Sequence, residues 1–168
     1  LEPITFREHG HGNLDLWCEL LGKNTSFQPP ARPYVLGIDS AAGTGASNSV
    51  ISIWDSKSCE KVGQYVDPHI KPERLAKYAI ALARWFWDAY LIWETNGSGR
   101  AFGDAVVEWG YGRYYKRPSR TETGETGANA GWAPTRDNKY QLLSQYRGAL
   151  VDRTACNRCE SAMRECLE

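Results

Sequence analysis

The sequence has no long hydrophobic run, no net charge and few cysteines. No window of about 18 consecutive apolar residues occurs, so no membrane-spanning helix is predicted. The first residues lack the basic start and apolar stretch of a secretory signal peptide. Its 20 Asp and Glu side chains balance 20 Lys and Arg side chains, so net charge alone does not point to a nucleic-acid partner. A neutral total can still conceal a polarised surface, so the distribution of charge has to be considered.

Five cysteines are an odd number, and Cys18 and Cys59 lie far along the chain from the other three. This favours reduced thiols in a cytoplasmic setting over a disulfide framework. Cys156 and Cys159 form a single Cys-x-x-Cys pair without the further ligands of a structural zinc site. The spacing instead predicts an apolar stripe on a last helix, made of Cys156, Cys159, Met163 and Cys166.

The 7 Trp and 9 Tyr residues favour one globular domain with a substantial core. Alternation, β-branched residues and turn signals predict five strands, at 34–39, 49–54, 61–66, 90–93 and 112–116. Helical spacing predicts helices at 72–88, at 102–109 and after Thr135, the last with the apolar face Leu142, Leu143, Tyr146 and Leu150. Residues 14–21 read as two helical turns, and 117–131 as a long loop.

The element order predicts a mixed five-stranded sheet with helices on both faces. Three strands with short connections favour an antiparallel meander, and a helix between two strands favours a right-handed crossover to a parallel strand. Asp39 and Glu94 each end a predicted central strand. In α/β sheets, sites lie at the carboxyl ends of strands, so we expect the two carboxylates to meet at one edge.

Two neighbouring carboxylates offer hard oxygen ligands of the kind that Mg²⁺ and Mn²⁺ prefer. A pair of such ions can activate a water and stabilise the leaving oxygen of a phosphodiester. From the residues alone a second interpretation stays open, in which Asp39 and Glu94 cap their strands or pair with Lys or Arg.

A glycine-rich turn, 43–49, follows the first predicted strand. It resembles the first phosphate-binding turn of actin-like ATPases, although a tight hairpin turn is an equal alternative. The chain has no Gly-Lys-Ser/Thr of a P-loop and no room for the second domain that an actin-like ATPase needs.

A basic cluster follows the predicted fifth strand, interleaved with Tyr114 and Tyr115. It contains Arg113, Lys116, Arg117 and Arg120, with Lys139 further on. These cations suit a phosphate backbone. Protection of a sheet edge against pairing explains them equally well.

Three segments in order resemble the nuclease domain of a tailed-phage terminase large subunit. The run Leu36 to Asp39 with the following Gly43-to-Ser49 turn resembles the family's first motif. The run Trp93 to Gly99 is similar to its acid-x-Asn-Gly-x-Gly motif, which is the most specific of the three. The run Gly131 to Thr135, followed by Lys139, is similar to the segment that opens the family's next helix.

The resemblance implies an RNase H-like fold and a metal-dependent endonuclease that cuts double-stranded concatemeric DNA. It implies Asp39 and Glu94 as catalytic metal ligands for two Mg²⁺ or Mn²⁺ ions. DNA contacts would come from Arg113, Lys116, Arg117, Arg120 and Lys139. The family's third metal-binding Asp would follow beyond Glu168, which leaves the expectation that this chain is truncated and weakly active or inactive.

The resemblance also implies a larger assembly in the host cytoplasm. Residues 1–33 would be a linker from an upstream ATPase domain, and 34–168 the nuclease domain. Partners would be the ATPase domain, the small terminase subunit, the portal protein and double-stranded DNA. Two alternatives remain: a RuvC-like nuclease that cuts DNA junctions, and a non-catalytic docking module.

Overall fold

The structure is a computed structural model that describes residues 9–23, 26–120 and 126–165. Its strands are β1 (Leu14–Leu16), β2 (Leu21–Lys23), β3 (Ser26–Gln28), β4 (Tyr34–Asp39), β5 (Ser49–Asp55), β6 (Glu60–Asp67), β7 (Tyr90–Trp93), β8 (Lys116–Arg120) and β9 (Thr126–Ala130). Its helices are α1 (Pro72–Trp85), α2 (Ser98–Glu108), α3 (Arg136–Val151) and α4 (Glu160–Glu165).

The main sheet has five strands in the order β1-β6-β5-β4-β7. Strands β4, β5 and β6 form the predicted antiparallel meander, and β1 adds to its far edge. Helix α1 then crosses over, so that β7 pairs parallel with β4. The mixed sheet and its parallel crossover are confirmed.

One face of the sheet carries the hydrophobic core. Side chains alternate along β4, so Tyr34, Leu36 and Ile38 are buried on the same face. Helices α1 and α2 pack together over this face. The apolar stripe of α1 is fully buried there, including Leu75, Leu82 and Ala83.

The opposite face is covered thinly. Trp54 lies on this face, because it pairs in register with the half-buried Val35 of β4. The Trp54 ring meets Tyr146 of α3 edge-on, with ring centroids 6.2 Å apart. Helices therefore lie on both faces, as predicted, but no residue of α3 is buried.

Two of the predicted elements are wrong because distant pairing decided them. Residues 14–16 form strand β1, not a helix, because their backbone bonds to β6 at the sheet edge. The predicted fifth strand, 112–116, forms only an isolated bridge from Tyr114 to Leu91 before the chain leaves the sheet. Thus β1, not 112–116, completes the five strands.

The loop predicted over 117–131 is wrong in its described parts, 117–120 and 126–131, and residues 121–125 lie outside the described residues. Strands β8 and β9 pair antiparallel across it, from Lys116 opposite Ala130 to Arg120 opposite Thr126. The segment carries no apolar alternation, so the pattern that identifies half-buried strands is missing. It is a hairpin that projects from the edge of the main sheet beside β7.

The C-terminal helices differ from prediction in their packing. Helix α3 begins after Thr135 as expected, where Thr135 and Asn138 form a reciprocal capping box. Its predicted apolar face is not buried, and Leu142 and Leu143 are 53% and 65% exposed. Helix α4 starts only at Glu160, so Cys156 lies before it in an extended bridge to Glu60, and Cys166 lies outside the described residues.

None of the helices described here is long and apolar enough to cross a membrane.

Candidate metal and DNA site

The ends of β4 and β7 bring the two predicted acids to one edge of the sheet. Ile38 pairs in parallel register with Trp93, and Asp39 and Glu94 are the next residues on the two strands. Neighbouring strands lie about 4.8 Å apart, so two carboxylates in this register can reach a common ion. Asp39 is exposed, and the Glu94 side chain is 29% exposed.

Both acids line one open cleft on the thinly covered face. Its volume is about 320 Å³, and Asp39, Glu94 and Trp132 are among its lining residues. The floor is made by open-face positions of β5, β4 and β7, of which β7 is the edge strand and not the central strand expected from the sequence. These positions are Gly37, Val50, Ser52 and Ile92. Small side chains at Gly37 and Ser52, which pair across β4 and β5, leave the cleft room for a ligand.

The backbone of Glu94 is positioned by the turn that follows it. The amide of Gly99 donates to the carbonyl of Asn96 at 3.0 Å, which folds the first turn of α2 back towards β7. A Cβ atom at position 99 would overlap the Glu94 carbonyl oxygen. The last glycine of the Asn-Gly-x-Gly segment is therefore required by close approach to the candidate ligand's own backbone.

Trp93, directly before Glu94, is also positioned by close approach to glycines. Trp93 is 2% exposed, and Gly103 and Gly131 both lie against its indole nitrogen and the adjoining ring carbon. A Cβ at either glycine would come within 2.6 Å of the indole nitrogen. Two glycines far apart in sequence thus make space for the side chain that anchors the end of β7.

Glu94 has a cationic partner. The ammonium of Lys139, on the first turn of α3, lies 3.0 Å from Oε1 and 3.0 Å from Oε2 of the Glu94 carboxylate. The alternative of a strand-end acid paired with a lysine therefore describes Glu94. Lys139, predicted as a DNA contact, is bound to the candidate metal ligand.

Arg117 of the hairpin reaches the same edge. Its guanidinium donates to the Thr95 hydroxyl at 3.2 Å, and that hydroxyl donates to the Trp132 carbonyl at 3.1 Å. The Thr95 amide also donates to the Trp132 carbonyl, at 2.9 Å. This network fixes a half-buried cation at the residue that follows Glu94, on the side of the strand where the Trp93 ring lies.

The other predicted DNA contacts lie further out. Lys116 is exposed, with its ammonium 5.1 Å from the centroid of the Tyr114 ring. Arg113 is exposed and its carbonyl accepts from the Leu91 amide, which is three residues, or about 10 Å, before Glu94 along β7. Arg120 ends β8, and its side chain lies outside what the structure describes.

The glycine turn does not form a tight hairpin turn, because the loop 40–48 separates β4 from β5. The loop folds onto residues 68–70, where the Gly45 amide donates to the Pro68 carbonyl at 2.9 Å. Gly43 and Gly45 have φ angles of 74° and 86°, and a Cβ at either would come within 2.7 Å of this segment. That packing accounts for both glycines.

The donor set around Asp39 suits a hard cation. No hydrogen bond or ion pair engages the Asp39 carboxylate within the described residues, so its oxygens are available. The neighbouring Ser40 hydroxyl is the only side-chain polar atom, in the part of the chain that the structure describes, that is buried without a partner. Such an atom commonly marks a place for water or an ion. Across the same residues, no group of three or more potential metal ligands occurs.

Sequence reasoning missed Thr95 and Trp132 as parts of this edge. Both lie within the motifs that carried the resemblance, and the hydroxyl directly after a strand-end acid was the available signal. The bond between Lys139 and Glu94 had no local signal, because the two residues are 45 positions apart.

Comparison with known proteins gave matches among solved structures only. No family model matches the sequence, and no curated protein sequence matches it. The large terminase nuclease of the thermophilic phage G20c with bound cobalt has a TM-score of 0.61 and 16% identity, over 92% of this chain and 69% of that one. Its zinc-bound structure has a TM-score of 0.64 and 14% identity, over 97% and 81%. The magnesium-bound structure has a TM-score of 0.51 and 15% identity, over 83% and 89%.

At these identities the likeness shows the fold. The chain has an RNase H-like α/β fold, which is confirmed by its mixed five-stranded sheet and by these neighbours. More narrowly, it has the fold of a phage large-terminase nuclease, so the resemblance found in the three motifs is confirmed at the level of architecture.

Proposed function

We propose that this chain is the metal-dependent endonuclease domain of a phage DNA-packaging terminase, which cuts double-stranded concatemeric DNA. The observation that carries the proposal is the placement of Asp39 and Glu94 after paired residues of β4 and β7, lining one cleft. The architecture supports it, because the G20c nuclease that it resembles has been solved with cobalt, zinc and magnesium.

Asp39 and Glu94 would hold the divalent ions, Mg²⁺ or Mn²⁺, with two ions expected in the complete site. Carboxylate oxygens are the ligands that these cations prefer. Once bound, such ions lower the pKa of water and neutralise charge on the phosphodiester. Asp39 and Glu94 themselves would hold the ions at the strand ends. The close packing of Gly99 and Trp93 fixes the backbone at Glu94.

The cationic residues would hold the DNA backbone. Arg117 is fixed near the end of β7, because its guanidinium donates to Thr95, the residue after Glu94. Lys116 and Arg113 are exposed and extend the positive surface along the hairpin and the sheet edge. Arg120 and Lys139 complete the proposed set. Phosphate contacts of this kind position a duplex without reading its sequence.

The proposed assembly is the packaging machine in the host cytoplasm. Its other parts would be a terminase ATPase domain, the small terminase subunit and the portal protein. The link to the ATPase domain, expected over 1–33, would have to lie before β1, because β1 belongs to the main sheet.

A supercoiled-plasmid assay with Mn²⁺ tests the proposal. Because the resemblance implies a third acidic ligand after the last helix, a version extended beyond Glu168 is assayed beside the 168-residue chain. Asp39→Asn keeps the shape of the side chain and removes its charge, so we expect cleavage to fall by at least about 100-fold. Asp15→Asn, on the far edge strand, is the matched control.

Equal cutting by Asp39→Asn would refute the assignment of the site. Faster cutting of a four-way junction than of linear duplex would favour the RuvC-like alternative. Mn²⁺ binding without cleavage of any DNA by the extended version would favour a docking module.

A further inference from the structure

The contact between Lys139 and Glu94 places the ammonium on the same carboxylate oxygens that would bind a metal ion. One ammonium is 3.0 Å from each carboxylate oxygen. A divalent ion bound by Glu94 needs at least one of the same oxygens. The ammonium and the ion also repel each other, so both cannot bind the Glu94 carboxylate tightly at the same time.

Lys139 also tethers α3. The helix buries no residue, and its other described side-chain contacts include those of Asn138 with Thr135 and Ala133, directly before the helix, and of Tyr146 with the Trp54 ring and the Asn157 amide. Tyr146 lies two turns further along the helix. Backbone bonds of Trp132 to β7 hold the segment before α3, and the bond between Lys139 and Glu94 links the first turn of the helix itself to the cleft.

We propose that Lys139 is a displaceable counter-charge for the metal site. In the metal-free protein it neutralises Glu94 and holds the first turn of α3 against the cleft. A divalent ion that binds Glu94 expels the ammonium and releases its hold on that turn, which uncovers the Glu94 carboxylate and frees a cation for DNA phosphate. This inference rests on the proposed function and assigns Lys139 a positioning and gating role.

The exposure of the pair makes the exchange feasible. The Lys139 and Glu94 side chains are 48% and 29% exposed, so water solvates the ammonium as it leaves. Pairs this accessible contribute little to stability. A doubly charged ion gains more from the same carboxylate, and the released side chain regains its rotamer freedom.

Calorimetric titration with Mn²⁺ of the whole chain tests the competition. Lys139→Met removes the competing charge and keeps the length of the side chain, so we expect Mn²⁺ to bind about fivefold more tightly. Lys139→Arg keeps the charge and should bind as the unchanged chain does. Arg136→Met removes one positive charge from the same turn without contact to Glu94, and should change the affinity by less than about twofold.

Hydrogen exchange of the α3 amides supplies a second readout, independent of cleavage. In the unchanged chain, Mn²⁺ should speed exchange in the first turn of α3. In Lys139→Met exchange should be fast already and should not respond to Mn²⁺. Glu94→Gln should show the same fast exchange without metal, since it weakens the tether from the other side.

The outcomes separate this inference from the nuclease proposal. Loss of Mn²⁺ binding in Glu94→Gln, together with unchanged or weaker binding in Lys139→Met, overturns the gating role and leaves the metal site standing. Failure of both the unchanged chain and the version extended beyond Glu168 to bind Mn²⁺ overturns both. Tighter binding in Lys139→Met that Arg136→Met fully reproduces also overturns it, because the effect would then be general electrostatics.

Discussion

Helices α1 and α3 lie over opposite faces of the same sheet and are packed very differently. Helix α1 buries six residues: Leu75, Ala76, Ala79, Ile80, Leu82 and Ala83. Helix α3 buries none, and its Tyr140 and Leu143 are 78% and 65% exposed. The proposed site lies on the face of α3, where the strands end in acids and glycines leave space.

The difference indicates a division of labour within one small domain. Burial on the α1 side supplies the free energy that fixes β4 and β7 in register. The described contacts of the α3 side include the Lys139–Glu94 ion pair, the Tyr146–Trp54 ring contact and the Asn157–Tyr146 hydrogen bond, all of them outside the buried core. Segments with few buried contacts open at low free-energy cost, which the proposed binding of DNA at the cleft would require.

The largest expected effect is the loss of stability when a leucine of α1 is truncated, compared with the same change in α3. Leu75 is fully buried in α1, so Leu75→Ala should lower the free energy of unfolding by about 3 kcal/mol through lost burial and a cavity. Leu143→Ala, the matched change in α3, should cost less than about 0.5 kcal/mol. Urea unfolding of both variants measures this, and equal losses would show that α3 is packed in solution.

Gly99→Ala should disturb the link between the packed α1 side of the sheet and the proposed site on the α3 side. The added methyl group overlaps the Glu94 carbonyl, so the end of β7 has to shift, at a cost of about 2 kcal/mol. We also expect weaker Mn²⁺ binding, although no acid is changed. Gly112→Ala is the control, since a Cβ there meets nothing within 4 Å. Unaltered stability and Mn²⁺ affinity in Gly99→Ala would show that this close approach does not position Glu94.

Asp55 tests how the packed side responds to acid. Burial favours a higher pKa for its carboxyl group, but hydrogen bonds from Arg32 and from the Lys57 and Ser58 amides outweigh this and lower the pKa below its usual value. The stabilisation is therefore present above the unfolded-state pKa of about 4 and is lost as the pH falls through the lower folded-state value.

Asp55→Asn should accordingly lower the free energy of unfolding at pH 7 by about 1.5 kcal/mol. The difference from the unchanged chain should shrink in acid, as measured by urea unfolding between pH 7 and pH 3. A difference that stays constant over this range would mean that the charge of Asp55 contributes nothing.

The smallest effect should be a gain on the thin side. Gly148 lies inside α3, and a Cβ there would meet no atom within 4 Å. Gly148→Ala should therefore stabilise the protein by at most about 1 kcal/mol through helix propensity. Thermal unfolding measures it. A loss of stability would indicate a close contact of α3 that this fold does not show.

Much of the fold was predictable because its signals are local. Alternation in β4 and β5, the helical spacing of α1 and the capping residues of α3 each act within a few positions. Strand β1 and the hairpin of β8 and β9 were mispredicted because their pairing partners, not their own side-chain patterns, make them strands.

The sequence by itself determined that an acid ends each of two strands and that glycines follow each acid, while the pairing of these strands was an expectation that the structure met. Hydrophobic periodicity sets the strands, and the backbone of Glu94 tolerates only a glycine at position 99. Tertiary structure alone decided that the Lys139 ammonium pairs with the Glu94 carboxylate and that the Arg117 guanidinium bonds to the Thr95 hydroxyl. Lys139 and Glu94 lie on different elements 45 positions apart, so their pairing depends on which distant elements the fold brings together.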